Sequence, residues 1–425
     1  MTSSSRLDAT QPSLHAPDPI ASPDPVSRLA ELLGLSVASL QLPQLTDVLV
    51  NHVRRIGKHH LSVDVLNAIV AVRDSASMDA ITAAFLNCLL DKRENRYDYG
   101  TYICLPLLEL ATSDFGGLDN RTMTRLLIAD AIRFEVDTLL GVRDVLANQR
   151  PGPATISRRV RHGHRFVVSD PALSRRTVDL LNDGPEAVVQ QLPPSPTGDV
   201  ARILRLSVLP VDVLHDEFLF LRILQAYEMV FVSLCHDVQA ATGAVRAGAI
   251  NHSVELVDRA AAALGDSLPM FRMLATMDVA VFRQFRQFTE GASAIQSDRY
   301  KQFEVACSTP TPERLASAAF AHTAFAREKA LHGGDTLADA YLDVTHHGTP
   351  SEAAVLAAAL GRLEAAHQRW KTTHYSLAAR MLGDAPGSGY TAGVPYLQEV
   401  RRNRLFPNLD DANDANGAYC ATTPY

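Results

Sequence analysis

From Val26 onward, apolar residues recur three and four positions apart, the spacing that gathers one face of a helix. Leu29, Leu32 and Leu33 open one such run, and 61–73 and 77–90 form two more. Asp74-Ser75 between the latter two is turn chemistry, and Ser77 is a plausible N-cap. The stretch 119–147 reads as one or two amphipathic helices. Three stronger helices are expected at about 213–242, 269–290 and 351–382, the last closing at Gly383, a residue suited to a left-handed cap. Alternation of the strand type is scarce, and Arg165-Phe166-Val167-Val168 is its main candidate. Between the helical runs, 148–175 reads as irregular and 184–199, with four prolines, as a linker. The proline-rich stretch 1–26 and the polar end from 408 carry weak structural signal. The pattern predicts an all-α fold.

Composition narrows this picture by exclusion. The 425 residues are 47% hydrophobic, ample for a large core. A net charge of −7 names no polyanionic partner, and the one arginine-rich stretch, 150–176, reads as a solvated surface, so no nucleic acid is expected. The five cysteines, Cys88, Cys104, Cys235, Cys307 and Cys420, form no Cys-x-x-Cys pair, and an odd count fits a reducing cytoplasm. No apolar stretch near the N-terminus suits a signal peptide. The longest apolar run, 218–235, contains Arg222, Gln225 and Glu228, and so reads as a buried helix with no membrane role.

Candidate chemistry gathers on the three strong helices. His367, Trp370 and His374 fall on one helical face, and His374 can ligate an iron through one imidazole nitrogen or serve as a core histidine. His215 precedes Asp216 and Glu217, which suit a helix N-terminus electrostatically while the imidazole faces inward. Phe282, Phe285 and Phe288 make an aromatic stripe with Arg283 and Arg286 beside it. A buried guanidinium needs an anion, either a protein acid or a substrate carboxylate. The glycine-rich loop 387–393 matches neither phosphate-binding fingerprint. Tyr97, Tyr99 and Tyr102 cluster ahead of an apolar helix, as packing residues or as a pocket wall.

Taken together, these pieces resemble the tryptophan 2,3-dioxygenase family, within the superfamily of histidine-ligated haem aromatic oxygenases. Tyr99-Gly100-Thr101-Tyr102-Ile103 is similar to the family's Tyr-Gly-x-Tyr-Leu. His215-Asp216-Glu217-Phe218-Leu219-Phe220 and Gln225-Ala226-Tyr227-Glu228 follow in family order. So do Phe285-Arg286, Ala292-Ser293-x-x-Gln296-Ser297, Trp370 to His374, Arg380-Met381-Leu382-Gly383 and Gly387-Ser388-Gly389. The resemblance covers about half the chain. It implies haem b, with His374 as the axial iron ligand and His215 as a catalytic histidine facing oxygen and substrate. It further implies Arg286 as the substrate-carboxylate clamp, Phe282 as an aromatic wall, Ser293 and Ser388 at the amino-acid end, and Tyr99 and Tyr102 lining the pocket, reaching in from a neighbouring subunit as the family's N-terminal segment does.

Departures fall where a substrate would touch. About a hundred residues separate Tyr102 from His215, where the family has a short connection, and Gly291-Ala292-Ser293-Ala294-Ile295 replaces Pro-Ala-Ser-Gly-Phe. Relatives that bind haem covalently carry a cysteine four residues after the ligand. Here that residue is Ala378, and no thioether is expected. The organisation implied is a tail (1–26), a helical extension plus insert (27–205), a haem-binding helical bundle (206–408) and a second tail (409–425). The activity implied is oxygenation of a free aromatic L-amino acid by O2, tryptophan first, in a cytoplasmic homo-oligomer, dimer or tetramer. Hydroxylation of tyrosine or a modified tryptophan in natural-product biosynthesis, and a non-catalytic helical binding protein, are the alternatives.

Overall fold

The computed structural model describes residues 25–34, 42–75, 77–113, 117–168, 177–289, 292, 294–321, 323–383, 393–407 and 409. Regular structure among them is helical, and the only β pairing is the isolated bridge Asn148–Leu214. The all-α expectation holds.

Seven helices position the site: α1 (Asn120–Leu139), α2 (Pro153–Val167), α3 (His215–Arg246), α4 (Ile250–Leu274), α5 (Val279–Arg286), α6 (Asp298–Cys307) and α7 (Pro350–Leu382). At the centre, α3 packs against α4, α1 and α6, and α4 also packs against α7 and α2. This explains why the first two-thirds of α3 is largely apolar on every side, while His236, Gln239 and Arg246 near its end meet solvent. The helix is long and apolar enough to cross a membrane, yet most of its apolar stretch is buried inside the chain. Two polar residues in its middle, Arg222 and Gln225, are satisfied internally. Arg222 donates to Asp130, Ser207, Gln225 and the Leu204 carbonyl, and Gln225 donates to the carbonyls of Ile103 and Ser207.

Helices α1 and α2, from the stretch between Tyr102 and His215, dock on α3 and α4 through a fully buried charge cluster. Arg159 lies 2.9 Å from Glu135 and 2.7 Å from Asp216, and it donates to Thr276. Removing one partner of such a cluster strands a buried charge, at a cost of about 3–5 kcal/mol.

Local chemistry corrects several boundaries. Arg165 to Val167 lie in α2, so the strand expected there and residues 153–167 of the stretch expected to be irregular are replaced by a helix opened by Pro153 in its first turn. Asp79 takes the N-cap role assigned to Ser77, accepting from the Thr82 amide at 2.9 Å. The helix expected at 269–290 is two. Helix α4 starts at Ile250 and carries Pro269 within it, and Asp278 then caps a separate α5. Pro25 and Val26 begin a helix, Pro25–Leu32, within the expected tail, and residues 1–24 lie outside the described residues. Of the second tail only Leu409 is described. Gly383 has φ 59° and returns its amide to the Ala379 carbonyl, the left-handed stop expected of it. Cys88, Cys104, Cys235 and Cys307 are buried and free, and Cys420 lies outside the described residues.

Candidate active site

A cavity of about 250 Å³ opens between α3, α4, α5 and α7. Helix α7 contributes Trp370, His374, Leu377 and Met381, a 4-3-4 spacing that keeps one stripe pointed inward. Helix α3 contributes Phe220, Leu224, Tyr227 and Phe231 with the same spacing. Phe271 comes from α4, Phe282 and Arg286 from α5, and Tyr99 and Tyr102 from the short helix Tyr99–Tyr102. A capping box fixes that helix: Asp98 accepts from the Thr101 amide at 2.8 Å, and the Thr101 hydroxyl accepts from the Asp98 amide at 3.1 Å. Both tyrosines reach the cavity from within the same chain.

His374 sits in the cavity wall against the rings of Phe271 and Trp370, whose centroids lie 5.8 and 5.6 Å from its own and 5.4 Å from each other, so the three rings form one cluster. It makes no hydrogen bond to another described residue. Burial, with the charge of Lys301 adding to it, pushes its pKa down to about 4, so the imidazole is neutral at ordinary pH. A neutral imidazole presents a free lone pair, the form that ligates a metal. His367, one turn below Trp370, is different. It is buried beneath the cavity, and its Nε2 lies 2.7 Å from the Tyr300 hydroxyl.

His215 departs from its expected place. Its imidazole is fully buried, 3.1 Å from Glu135 and packed on Phe134, and it is absent from the cavity wall. The helical period explains the correction. At about 100° per residue, the nine positions from His215 to Leu224 put the two on opposite faces of α3. Leu224 faces the cavity and His215 faces α1. The inward stripe at Phe220, Leu224, Tyr227 and Phe231 was the signal in the sequence that identifies the correct face.

Cations line the cavity and carboxylates do not. Among its described lining residues are Arg286, Lys301, Lys371 and Arg401, with no aspartate or glutamate. Lys301 and Lys371 are buried, and burial pushes each pKa down to about 8. Lys301 rides over the Tyr300 ring at 4.4 Å and pairs with Glu304 at 3.2 Å. Burial opposes ionisation of that carboxyl, but Lys301 and Arg314 hold it at about 2. Lys371 donates to the Asn403 carbonyl, and Arg401 lies over Tyr375 at 4.9 Å. Sequence reasoning missed these basic groups because lysines inside a helical run read as its wet face.

The two arginines of α5 separate in role. Arg283 donates to the carbonyls of Met381 and Leu382, closing the end of α7. Arg286 is half-buried in the cavity wall, where burial lowers its pKa. Phe282 lines the same cavity. Ser293 and Ser388, with the loop 387–392, lie outside the described residues.

The model of the family described as tryptophan 2,3-dioxygenase matches residues 203–337. A tryptophan 2,3-dioxygenase of Erythrobacter litoralis is 30% identical over 250 residues, covering 50% of this chain and 93% of the relative. The chain belongs to the tryptophan 2,3-dioxygenase family. Tryptophan 2,3-dioxygenases of Anaeromyxobacter dehalogenans and Pseudomonas aeruginosa are each 25% identical, over 226 and 235 residues, covering 46% and 47% of this chain and 85% and 82% of the relatives. The match to the tryptophan 2,3-dioxygenase model takes in α3 to α6 and stops short of α7. The helices that clamp α3 through Glu135 and Arg159 lie ahead of it.

Proposed function

We propose that this chain is a haem-dependent oxygenase of a free aromatic L-amino acid, with tryptophan the first candidate and the cavity beside His374 as its active site. The observation that carries the reading is His374 itself: a neutral imidazole, packed against two aromatic rings, opening into a cavity whose wall is apolar and aromatic with a basic fringe. That donor set fits a haem. The imidazole suits the iron, the flat apolar walls suit the macrocycle, and Lys301, Lys371 and Arg401 suit its carboxylates. Ala378 supplies no thiol for a covalent link. A haem held there supplies the oxygen chemistry, and the protein supplies binding, orientation and electrostatics.

The chain's own residues account for substrate recognition. Arg286, at the end of α5, takes the carboxylate of the amino acid. Phe282, Phe220 and Leu224 give the ring an apolar slot, and Tyr99 and Tyr102 close it with hydroxyl-bearing rings. Fixing both ends of the substrate lowers the entropic cost of bringing its ring to the reacting position. The residues upstream of α3 belong, on this reading, to a helical extension that completes the pocket wall.

The test is a spectrum and a product. Haem-supplemented protein is expected to show a Soret band that His374→Ala displaces or abolishes. Turnover of tryptophan under labelled O2 is expected to place two labelled atoms in a ring-opened product. One labelled atom in a hydroxylated ring assigns monooxygenation, and a protein that takes up no haem overturns the reading.

A further inference from the structure

Two tyrosine–glutamate pairs back the cavity, and one of them is built to move a proton. The Tyr99 hydroxyl donates to Glu228 Oε1 at 3.0 Å, and Tyr102 donates to Glu217 Oε1 at 3.3 Å. Both tyrosines line the cavity, while both glutamates sit behind them on α3 and are fully buried. The pairs differ in what else the carboxylate does. Glu217 is saturated, accepting from the amides of Val211 and Asp212 at 2.7 and 3.0 Å as well, which is the arrangement of a structural anchor. Glu228 has only hydroxyl partners, Tyr99 and Ser297, and no backbone amide among the described residues donates to it. A buried carboxylate held only by hydroxyl groups has room to take a proton, and the Tyr99 hydroxyl that would deliver it already lies on Oε1.

We infer that Tyr99 is a catalytic residue that takes a proton from a substrate N–H or O–H while passing its own to Glu228, the positioning residue behind it. In the resting pair the phenol O–H points at the carboxylate, leaving the phenol oxygen's lone pairs for the substrate. As the substrate's N–H or O–H bond breaks, its electron pair stays on the substrate. A new O–H forms on Tyr99, the old one breaks, and the proton ends on Glu228. One negative charge moves from Glu228 to the substrate, and no oxidant or reductant is consumed in the step. The inference rests on the functional reading above and names the group that performs proton transfer in a cavity where His215 does not reach. The charged and titratable groups facing Glu228 are Tyr99, Asp298 and Arg299, with the Ser297 hydroxyl beside them. Burial outweighs the stabilising ones and lifts its pKa to about 7, poised for exchange near neutrality.

The experiment is the pH profile of kcat in the haem-loaded enzyme. Wild type is expected to gain rate as pH rises through about 7, where Glu228 ionises. Tyr99→Phe is expected to lose about a hundredfold in kcat with substrate affinity changed less than about threefold. Glu228→Gln is expected to erase the rise, and Glu228→Asp to restore part of it. A rise through neutrality that survives unchanged in Tyr99→Phe or Glu228→Gln overturns the inference. If wild type turns over no aromatic amino acid, the functional reading fails separately, and difference infrared spectra of wild type against Glu228→Gln then read the pair directly. A carboxyl band that titrates near 7 and shifts in Tyr99→Phe sustains it, and a band indifferent to Tyr99→Phe overturns it.

Discussion

The His215 imidazole and the Glu135 carboxylate lie 3.1 Å apart with neither side chain exposed, 80 residues apart in sequence. The contact joins α1 to the start of α3 and brings Arg159 of α2 and Asp216 into the same cluster. Its role is to seat the N-terminal helices on the bundle. Arg159→Met, which leaves two buried carboxylates without their cation, is expected to cost about 3–5 kcal/mol of stability, read as a lowered midpoint in urea denaturation. Haem uptake measured at low temperature, where the variant stays folded, is expected to be unchanged. A variant as stable as wild type removes the docking role.

Arg286→Leu tests the substrate end of the cavity. A half-buried guanidinium beside Phe282 is placed to hold a carboxylate. Losing it is expected to weaken amino-acid binding by roughly 2–5 kcal/mol while leaving the haem spectrum intact. Calorimetric titration of the haem-loaded variant with tryptophan checks this. Affinity within a factor of two of wild type would show that the carboxylate binds elsewhere, with Lys301, Lys371 and Arg401 the next groups to change.

Much of this arrangement was legible in the sequence. The long helices followed from three-and-four spacing because α3, α4 and α7 bury stripes that run their whole length. His374, Arg286, Phe282 and Tyr99 line one cavity, each from inside a regular element. What the sequence hides has a common cause. The motif at His215 does not display its helical phase relative to the cavity-facing stripe, and that phase sets the imidazole against α1. Helix α2 was hidden by its glycine, proline and arginine content, which reads as loop until Ile156, Val160, Gly163 and Val167 find α1 and α4 to pack on. Lys301 and Lys371 looked like surface charges because a sequence carries no record of what their ammonium groups meet in space.

The loss of phase at His215 has its own test. His215→Gln retains a hydrogen bond to Glu135 and replaces only the imidazole. If His215 is structural, kcat for the haem-loaded variant is expected to stay within about threefold of wild type once it is assayed below its unfolding temperature, whereas a residue touching the reacting atoms loses about a hundredfold or more. A collapse in kcat without a change in stability would restore His215 to the active site.

Stability against pH provides a last test, independent of activity. Burial pushes Glu228 up to about 7 and Glu217 up to about 8, each from an ordinary carboxyl value of 4.5. For such a group the folded chain keeps a proton that the unfolded chain has released. Stability is therefore greatest below the unfolded value and is lost as pH rises through the folded one. Each carboxyl thus costs the folded state roughly 3–5 kcal/mol by the time both are ionised, at about 1.4 kcal/mol per pH unit. Burial holds His374 and His367 down at about 4 and about 3, from an ordinary 6.5, so these two favour the folded state as pH rises to 6.5 and offset the carboxyls over that range. Lys301 and Lys371 act in the opposite sense to the carboxyls at higher pH. Their depressed values of about 8 make folding more favourable as pH climbs from there to about 10.5. The expected curve is nearly level to about pH 6.5, falls from there to about 8 and then flattens or turns upward. Glu217→Gln and Glu228→Gln are each expected to shallow the fall, with Glu228→Gln acting up to about 7 and Glu217→Gln up to about 8. Denaturation midpoints measured in steps across that range check the prediction. A fall of the same depth in both variants would place the responsible carboxyls elsewhere in the fold.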